Sequence, residues 1–183
     1  APSAWILPED SKVQRPEKQS QLAVDWVIRR FGDYSTEELL DYVYSRYPAY
    51  TVHSKRKKLA KKHLADPAVY TAGYEGLSVD AFLNRLIRCG IKHLIDVRHN
   101  PIARRFGFHR STLERLCSSL DIRYSHVPSL GIHSAERQEL NAQCDYDELF
   151  KNYRRTTLAR ESESIETVSE WITAAPSVLV CME

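Results

Sequence analysis

The residues best suited to chemistry in this sequence lie in and just after one short apolar run. The run, residues 91–97, contains Asp96 and is followed by Arg98, Arg104 and Arg105. A guanidinium group binds phosphate or carboxylate through paired hydrogen bonds, so this grouping is typical of an anion site. Asp96 would orient Arg98 or act as a base. A buried Asp96–Arg98 pair that only anchors the loop is an equally good interpretation of the same residues.

Two further segments contribute candidate side chains. His126 lies near the end of another predicted strand, and its ordinary pKa makes it a candidate general acid or base. The turn that contains Gly73, Tyr74 and Glu75 precedes Ser78, which is predicted to cap a helix. Backbone N–H groups at the start of a helix bind anions. We therefore expect the residues of this turn to bind the ligand together with the arginines.

The elements that must position these residues alternate between strands and helices. Strands are predicted at residues 69–72, 91–97, 122–127 and 177–181, and helices after Ser78, after Ser111, at 146–158 and at 165–174. Strand, helix and strand within about thirty residues form a βαβ unit with parallel strands. The predicted fold class is therefore α/β, a Rossmann-like, mostly parallel sheet with flanking helices. Ligands bind beyond the carboxyl ends of such strands, where the candidate side chains should meet.

A small helical segment is predicted before the α/β domain. We place this segment at residues 1–64 and the domain at residues 65–183. One helix is expected from about residue 19 to residue 31, and Ser35 with Glu38 forms a capping box that begins a second helix.

Positive charge is concentrated in particular segments, although the formal net charge of the chain is only +2. The most basic run has no acidic residue and consists, apart from a Leu-Ala pair, of Lys55, Arg56, Lys57, Lys58, Lys61 and Lys62. Acidic residues gather later, at 136–148 and 161–170. The run has two interpretations, a nucleic-acid contact and a solvated linker between the two parts of the chain.

The cysteines and histidines indicate neither a disulfide framework nor a metal site. The four cysteines are far apart and contain no Cys-x-x-Cys pair, and the histidines lack the spacing of metal ligands. We predict a cytoplasmic protein with reduced thiols, no metal and no cofactor. Cys181, at the end of the last predicted strand, is either a packing residue or a nucleophile. No apolar run approaches the ~20 residues of a membrane helix, so we expect no membrane partner; the oligomeric state stays open.

Three motifs, in this order, resemble the domain-of-unknown-function family 488 over about residues 69–183. The matching positions are Thr71, Gly73, Tyr74, Asp96, Arg98, Pro101, His126, Pro128, Leu130 and Gly131. Two positions depart from the usual pattern: Ala72 replaces a larger residue, and Ile132 stands where a second Gly is common. We therefore expect the loop after the third strand to have a different shape. The resemblance implies the fold and the location of the site, but no reaction.

A second resemblance concerns the N-terminal part. Residues 47–54 are similar to the link that follows a winged-helix-like domain in some relatives, so residues 1–64 are expected to be the back half of such a domain. We also expect the natural chain to extend before Ala1 and after Glu183.

Three functional interpretations follow from these patterns. In the first, the strand edge binds a phosphate-containing ligand, a nucleotide or nucleic acid, with hydrolase- or transferase-type chemistry through Asp96 and His126. Arg98→Glu is then expected to abolish binding without unfolding the domain. In the second, the protein is a non-catalytic nucleic-acid-binding or regulatory module. In the third, it is an interaction module whose Arg104 and Arg105 pair with acidic residues of the same chain.

Overall fold

Helices and four short strands alternate along the chain in the computed structural model, which describes residues 17–55, 65–103, 105–137 and 140–181. The helices are α1 Lys18–Phe31, α2 Thr36–Arg46, α3 Val79–Arg88, α4 Arg110–Ser119, α5 Gln143–Tyr153 and α6 Ser162–Ala174. The strands are β1 Val69–Ala72, β2 His93–Asp96, β3 Arg123–His126 and β4 Ser177–Val180. The predicted α/β class with a preceding helical segment is confirmed.

The described residues up to Val43 form one compact unit, and those from Tyr44 onwards form a second. In the first unit the predicted capping box is present: the Glu38 carboxylate accepts hydrogen bonds from the Ser35 backbone N and Oγ, both at 2.8 Å. These bonds, the backbone one first, lower the pKa of Glu38. The winged-helix interpretation of this part stays a prediction. In the described part of the chain, no helix has the length and apolar character that a membrane span requires.

The second unit is built on a sheet with the strand order β1-β4-β2-β3, in which all pairs are parallel. β2 and β3 are paired so that Asp96 lies opposite His126. β4 returns between β1 and β2, where it places Val180 beside Asp96. The carboxyl ends of all four strands therefore lie at one edge, as the sequence predicts.

Helix α3 shows why these residues fold as they do. The Ser78 hydroxyl accepts a hydrogen bond from the Ala81 backbone N at 3.2 Å and caps the helix, as predicted. Phe82 and Leu86 are spaced by one helical turn and are buried against the sheet core. The turn after the helix contains Gly90 at a φ of 72°, a left-handed conformation that favours glycine.

Three predicted helix starts are wrong. α6 begins at Ser162, three residues before the predicted start at residue 165. α4 begins at Arg110, one residue before Ser111, and the Ser111 hydroxyl contacts the His109 ring at 3.2 Å instead of capping the helix. α5 begins at Gln143, three residues earlier than predicted, because the Asp145 carboxylate accepts hydrogen bonds from two backbone N–H groups that precede the helix. α5 then continues through a wider π turn at Arg154–Leu158.

The helices cover both faces of the sheet. Leu94 belongs to the core cluster that includes residues of α3 and α4, whereas His93, its neighbour on the opposite face, contacts the Trp171 ring of α6 at 5.0 Å. The chain thus leaves β2 towards one face and leaves β3 towards the other. Such a reversal between adjacent strands opens a crevice at their carboxyl ends, which is where ligands bind in α/β sheets.

Candidate functional site

Asp96, the last residue of β2, is completely buried and is surrounded by hydrogen-bond donors. Its Oδ1 accepts from the backbone N of Arg98 at 3.1 Å and from Arg98 Nε at 2.8 Å. Its Oδ2 accepts from Arg98 Nη2 at 2.5 Å and from the Tyr124 hydroxyl at 2.6 Å. Asp96 and Arg98 therefore form a bidentate ion pair in the interior of the domain.

Arg98 also connects this strand end to two other loops. Its Nη1 donates to the Tyr74 hydroxyl at 3.2 Å and to the Phe108 carbonyl at 3.0 Å. The ring of Tyr74 stacks on that of Phe108 with centroids 4.2 Å apart. Four of the five guanidinium hydrogens of Arg98 thus bind protein groups. Arg98 ties together the loops that follow β1 and β2 and the segment that precedes α4.

The electrostatics of this cluster follow from its burial. Burial alone lowers the pKa of Arg98, but the hydrogen bonds and the charge of Asp96 outweigh it and raise the pKa above its usual value. Burial, and then the hydrogen bond to Asp96, raises the pKa of Tyr124. Burial, and then the charge of Asp96, raises the pKa of Cys117 to about 12. Arg98 is therefore charged, and Tyr124 and Cys117 are neutral, at neutral pH.

His126 lies beside this cluster and contacts a backbone group of Arg98 rather than its side chain. Its Nε2 is 2.9 Å from the Arg98 carbonyl oxygen, within hydrogen-bond distance. With the Asp96 carboxylate enclosed and the His126 ring bonded to a carbonyl, both side chains hold Arg98 and its loop in place. The two residues that the sequence predicts as catalytic are adjacent, and neither lines the cavity described next.

A cavity of about 340 Å³ lies at the carboxyl ends of the strands, next to the ends of β2 and β3. Its apolar wall combines loop residues with residues of α5, among them Ile102, Leu130, Ile132, Leu149 and Phe150. Its polar groups include Arg98, His99, Arg137, Tyr153 and Cys181. This volume and this mixture of apolar walls with few polar groups are typical of a small-molecule site.

Helix α5 is fixed as one wall of this cavity. The Tyr153 hydroxyl donates to the Leu130 carbonyl at 2.7 Å, which attaches the helix to the loop that follows β3. Burial, and then the charge of the nearby Cys181, raises the pKa of Tyr153. Gly131 is required in the same loop because a Cβ atom there would meet the backbone N of His99 at 2.3 Å. The loops that follow β2 and β3 therefore approach each other closely beneath the helix.

Arg137 is the one buried side-chain donor without a hydrogen-bond partner in the described part of the chain. The unpaired atom is its Nε, and the side chain lines the cavity. A buried donor without a partner costs about 1–3 kcal/mol, so native proteins rarely retain one. The cavity is thus lined by a cationic residue that keeps one hydrogen-bond donor without a protein partner.

The other predicted ligand-binding residues are placed differently. Tyr74 lines the cavity, while Glu75 is exposed on the turn. The Leu77 backbone N donates to the Tyr74 carbonyl at 3.1 Å, so this N–H group is not available to an anion. Arg105 is exposed and its Nη1 donates to the same carbonyl at 3.3 Å, which gives it a neutral partner rather than an acidic one. Gly73 is half-buried at the end of β1.

Several predicted residues lie outside the described residues. They are Arg104 and the basic residues Arg56, Lys57, Lys58, Lys61 and Lys62. Lys55, at the start of that run, is described and is exposed.

Two parts of the site were not predicted from the sequence, Arg137 and the wall formed by α5. The wall could have been found from the spacing of Tyr146, Leu149, Phe150 and Tyr153, which places them on one helical face. No comparable signal marks Arg137, which ends the 3₁₀ turn Ser134–Arg137 and directly follows Glu136.

Comparison with known protein families identifies one match. Residues 78–183 match the family described as domain of unknown function DUF488. The chain belongs to this family. The matched residues run from the start of α3 to residue 183 and include Asp96, Arg98, His126 and Arg137. Searches among curated proteins and among solved structures gave no match.

Proposed function

We propose that this DUF488 protein binds a small phosphate-containing ligand, a nucleotide or the end of a nucleic acid, in the cavity at the carboxyl edge of its sheet. The observation that carries the proposal is the unpaired Nε of Arg137, a residue whose side chain lines that cavity. A phosphate oxygen would supply the missing acceptor and a counter-charge for the guanidinium group.

The apolar part of the cavity supports a ligand that is more than a free phosphate. Ile102, Leu130 and Phe150 present apolar surface to the same space that Arg137 borders. A cavity of about 340 Å³ falls within the usual range for ligand sites and is much larger than an inorganic anion requires. A base or sugar packed on these side chains, with its phosphate on Arg137, would use both parts.

Hydrolase- or transferase-type chemistry has less support than binding. Asp96 is enclosed by four hydrogen bonds, and His126 is bonded to a backbone carbonyl. Groups with access to a ligand are instead His99 and Cys181, which line the cavity. The proposal is therefore one of recognition, with Asp96 and His126 as positioning residues.

The test is calorimetric titration of the protein with mononucleotides and with inorganic phosphate, comparing wild type with Arg137→Met. A charge-assisted hydrogen bond contributes about 1.5–3 kcal/mol, so nucleotide affinity should fall roughly ten- to a hundredfold. The free energy of unfolding should stay unchanged or rise, because the variant removes a buried donor that has no partner. Loss of affinity without loss of stability is the signature of a residue kept for binding.

The matched control is Arg85→Met on the exposed face of α3, which removes one arginine outside the cavity. This variant should bind nucleotides as wild type does. Absence of nucleotide binding by the wild type, or equal affinity in the Arg137 variant, would overturn the proposal.

A further inference from the structure

A second concave surface lies on the outer side of α5. It is a groove of about 500 Å³ bordered by Asp147, Phe150, Lys151, Arg154 and Arg155. These residues are spaced by three or four positions along the helix and its π turn, so they form one stripe. The stripe runs beside the face of α5 that lines the cavity. We refer to this surface as the α5 groove.

The cavity and the α5 groove share a wall. Phe150 lines both, and about half of its side chain is exposed, 47%. A ligand that leaves the cavity at Phe150 therefore meets the α5 groove directly. An exposed aromatic ring at such a junction suits a flat group, because every nucleic-acid base can stack on an aromatic face.

The charges of the α5 groove favour a polyanion. Lys151, Arg154 and Arg155 stand against a single carboxylate, Asp147, which accepts a hydrogen bond from Gln143 at 3.0 Å. Lys151 has only a long ion pair with Glu148, 4.0 Å between two side chains that are each more than 70% exposed. Such a pair contributes little and can be exchanged for a phosphate.

The two arginines have similarly weak partners. Arg155 donates to the neutral Asn152 side chain at 3.3 Å. Arg154 has no ion pair with any residue of the described segments 17–55, 65–103, 105–137 and 140–181. Three cations on one stripe are thus available, without a strong internal competitor, to successive phosphates of a chain.

We propose that the α5 groove binds single-stranded nucleic acid. This inference rests on the proposed function, because the terminal nucleotide of the strand occupies the cavity. The adjoining base stacks on Phe150, and the following phosphates lie along Lys151, Arg154 and Arg155. The occupant is a single strand because its terminal nucleotide can enter the cavity without the cost of unpairing and unstacking it from a complementary strand.

The experiment compares thymidine monophosphate with an unlabelled thymidine hexanucleotide by calorimetric titration at several salt concentrations. Each phosphate contact with a single strand adds about 0.7 to the slope of log affinity against log salt, so three contacts predict an additional slope of roughly 2. The hexanucleotide should bind at least tenfold more tightly than the monophosphate at low salt, since base stacking on an aromatic side chain contributes on this scale.

The deciding variant is Lys151→Gln/Arg154→Gln/Arg155→Gln. It should remove the additional salt slope, weaken hexanucleotide binding at low salt and leave monophosphate affinity unchanged, while the contribution of stacking on Phe150 remains. The matched control also replaces one lysine and two arginines, all on exposed positions of the second unit outside both concave surfaces: Arg85→Gln/Lys92→Gln/Arg115→Gln. This control should bind both ligands as wild type does.

Two results would overturn the inference alone: a hexanucleotide that binds no more tightly than the monophosphate, or wild-type hexanucleotide affinity in the groove variant. Failure of the monophosphate to bind, or its indifference to Arg137→Met, would instead overturn the proposed function. The two failures are distinguishable because they concern different ligands and different variants. Far-UV circular dichroism of each variant checks that a loss of binding does not come from unfolding.

Discussion

Replacing Asp96 by asparagine should strongly destabilise the domain, because the guanidinium group of Arg98 would lose its counter-charge in the interior. The Arg98 side chain is only 5% exposed and that of Asp96 is fully buried. Breaking a buried pair by removing one partner costs about 3–5 kcal/mol. Asparagine keeps one acceptor oxygen for Arg98 Nε, but its amide nitrogen replaces the oxygen that accepts from Arg98 Nη2 and the Tyr124 hydroxyl. A donor then faces the donor Nη2, so the full range applies, about 3–5 kcal/mol. Domains are stable by only about 5–15 kcal/mol.

The measurement is urea unfolding followed by circular dichroism, with wild type, Asp96→Asn, Arg98→Met and the double variant. Each single variant leaves one buried charge, whereas the double variant leaves none. The double variant should therefore be more stable than the sum of the single effects by at least about 1 kcal/mol. Glu114→Gln, an exposed position on α4, controls for loss of a carboxylate and should stay within about 0.5 kcal/mol of wild type. A cost below about 1 kcal/mol for Asp96→Asn, or strict additivity, would refute the structural role given to the pair.

Two further predictions concern groups outside this pair. Of the three exposed cysteines, Cys181 lines the cavity, so a saturating nucleotide should slow the alkylation of Cys181 while Cys89 and Cys144 react as before. Mass spectrometry of the alkylated peptides measures the three rates. Equal protection of all three cysteines would contradict the assignment of the ligand to the cavity. Burial, and then the charge of Arg123, lowers the pKa of His93 to about 4. Because the unfolded pKa is near 6.5, stability should fall as the pH drops from about 6.5 towards 4, and His93→Gln should remove this part of the pH dependence of unfolding.

The fold was predictable from local patterns, and the strand order was not. Residues 69–72 were predicted as a strand with the observed bounds, and Ser78 caps α3 as expected, because alternation and capping are local properties of the chain. The insertion of β4 between β1 and β2 depends on pairing between residues about 80 to 110 positions apart, as in Val69 with Ser177 and His93 with Ser177. No periodicity in the sequence carries that information. The return of the chain to the middle of the sheet nevertheless decides where the crevice lies.

The candidate site shows the same division between local and long-range information. The i and i+2 spacing of Asp96 and Arg98 correctly predicts that they share one face of the strand. Whether Arg98 binds a ligand or the protein depends on Tyr74 and Phe108, which come from other loops. With these partners, Arg98→Glu would bury two carboxylates beside each other. We therefore expect that variant to unfold, contrary to the expectation from sequence, and it cannot test binding.

Which arginine can bind a ligand depends on which arginine already binds protein groups. Asp96 neutralises Arg98, and the remaining donors of Arg98 bind two loops, so this arginine holds the edge of the sheet rigid. A ligand that needs a cation must then find one outside the pair. Arg137 borders the cavity with a donor that has no partner. Since Arg137 and α5 both belong to the crossover between β3 and β4, changes in this crossover should alter ligand choice while leaving the sheet and its buried pair intact.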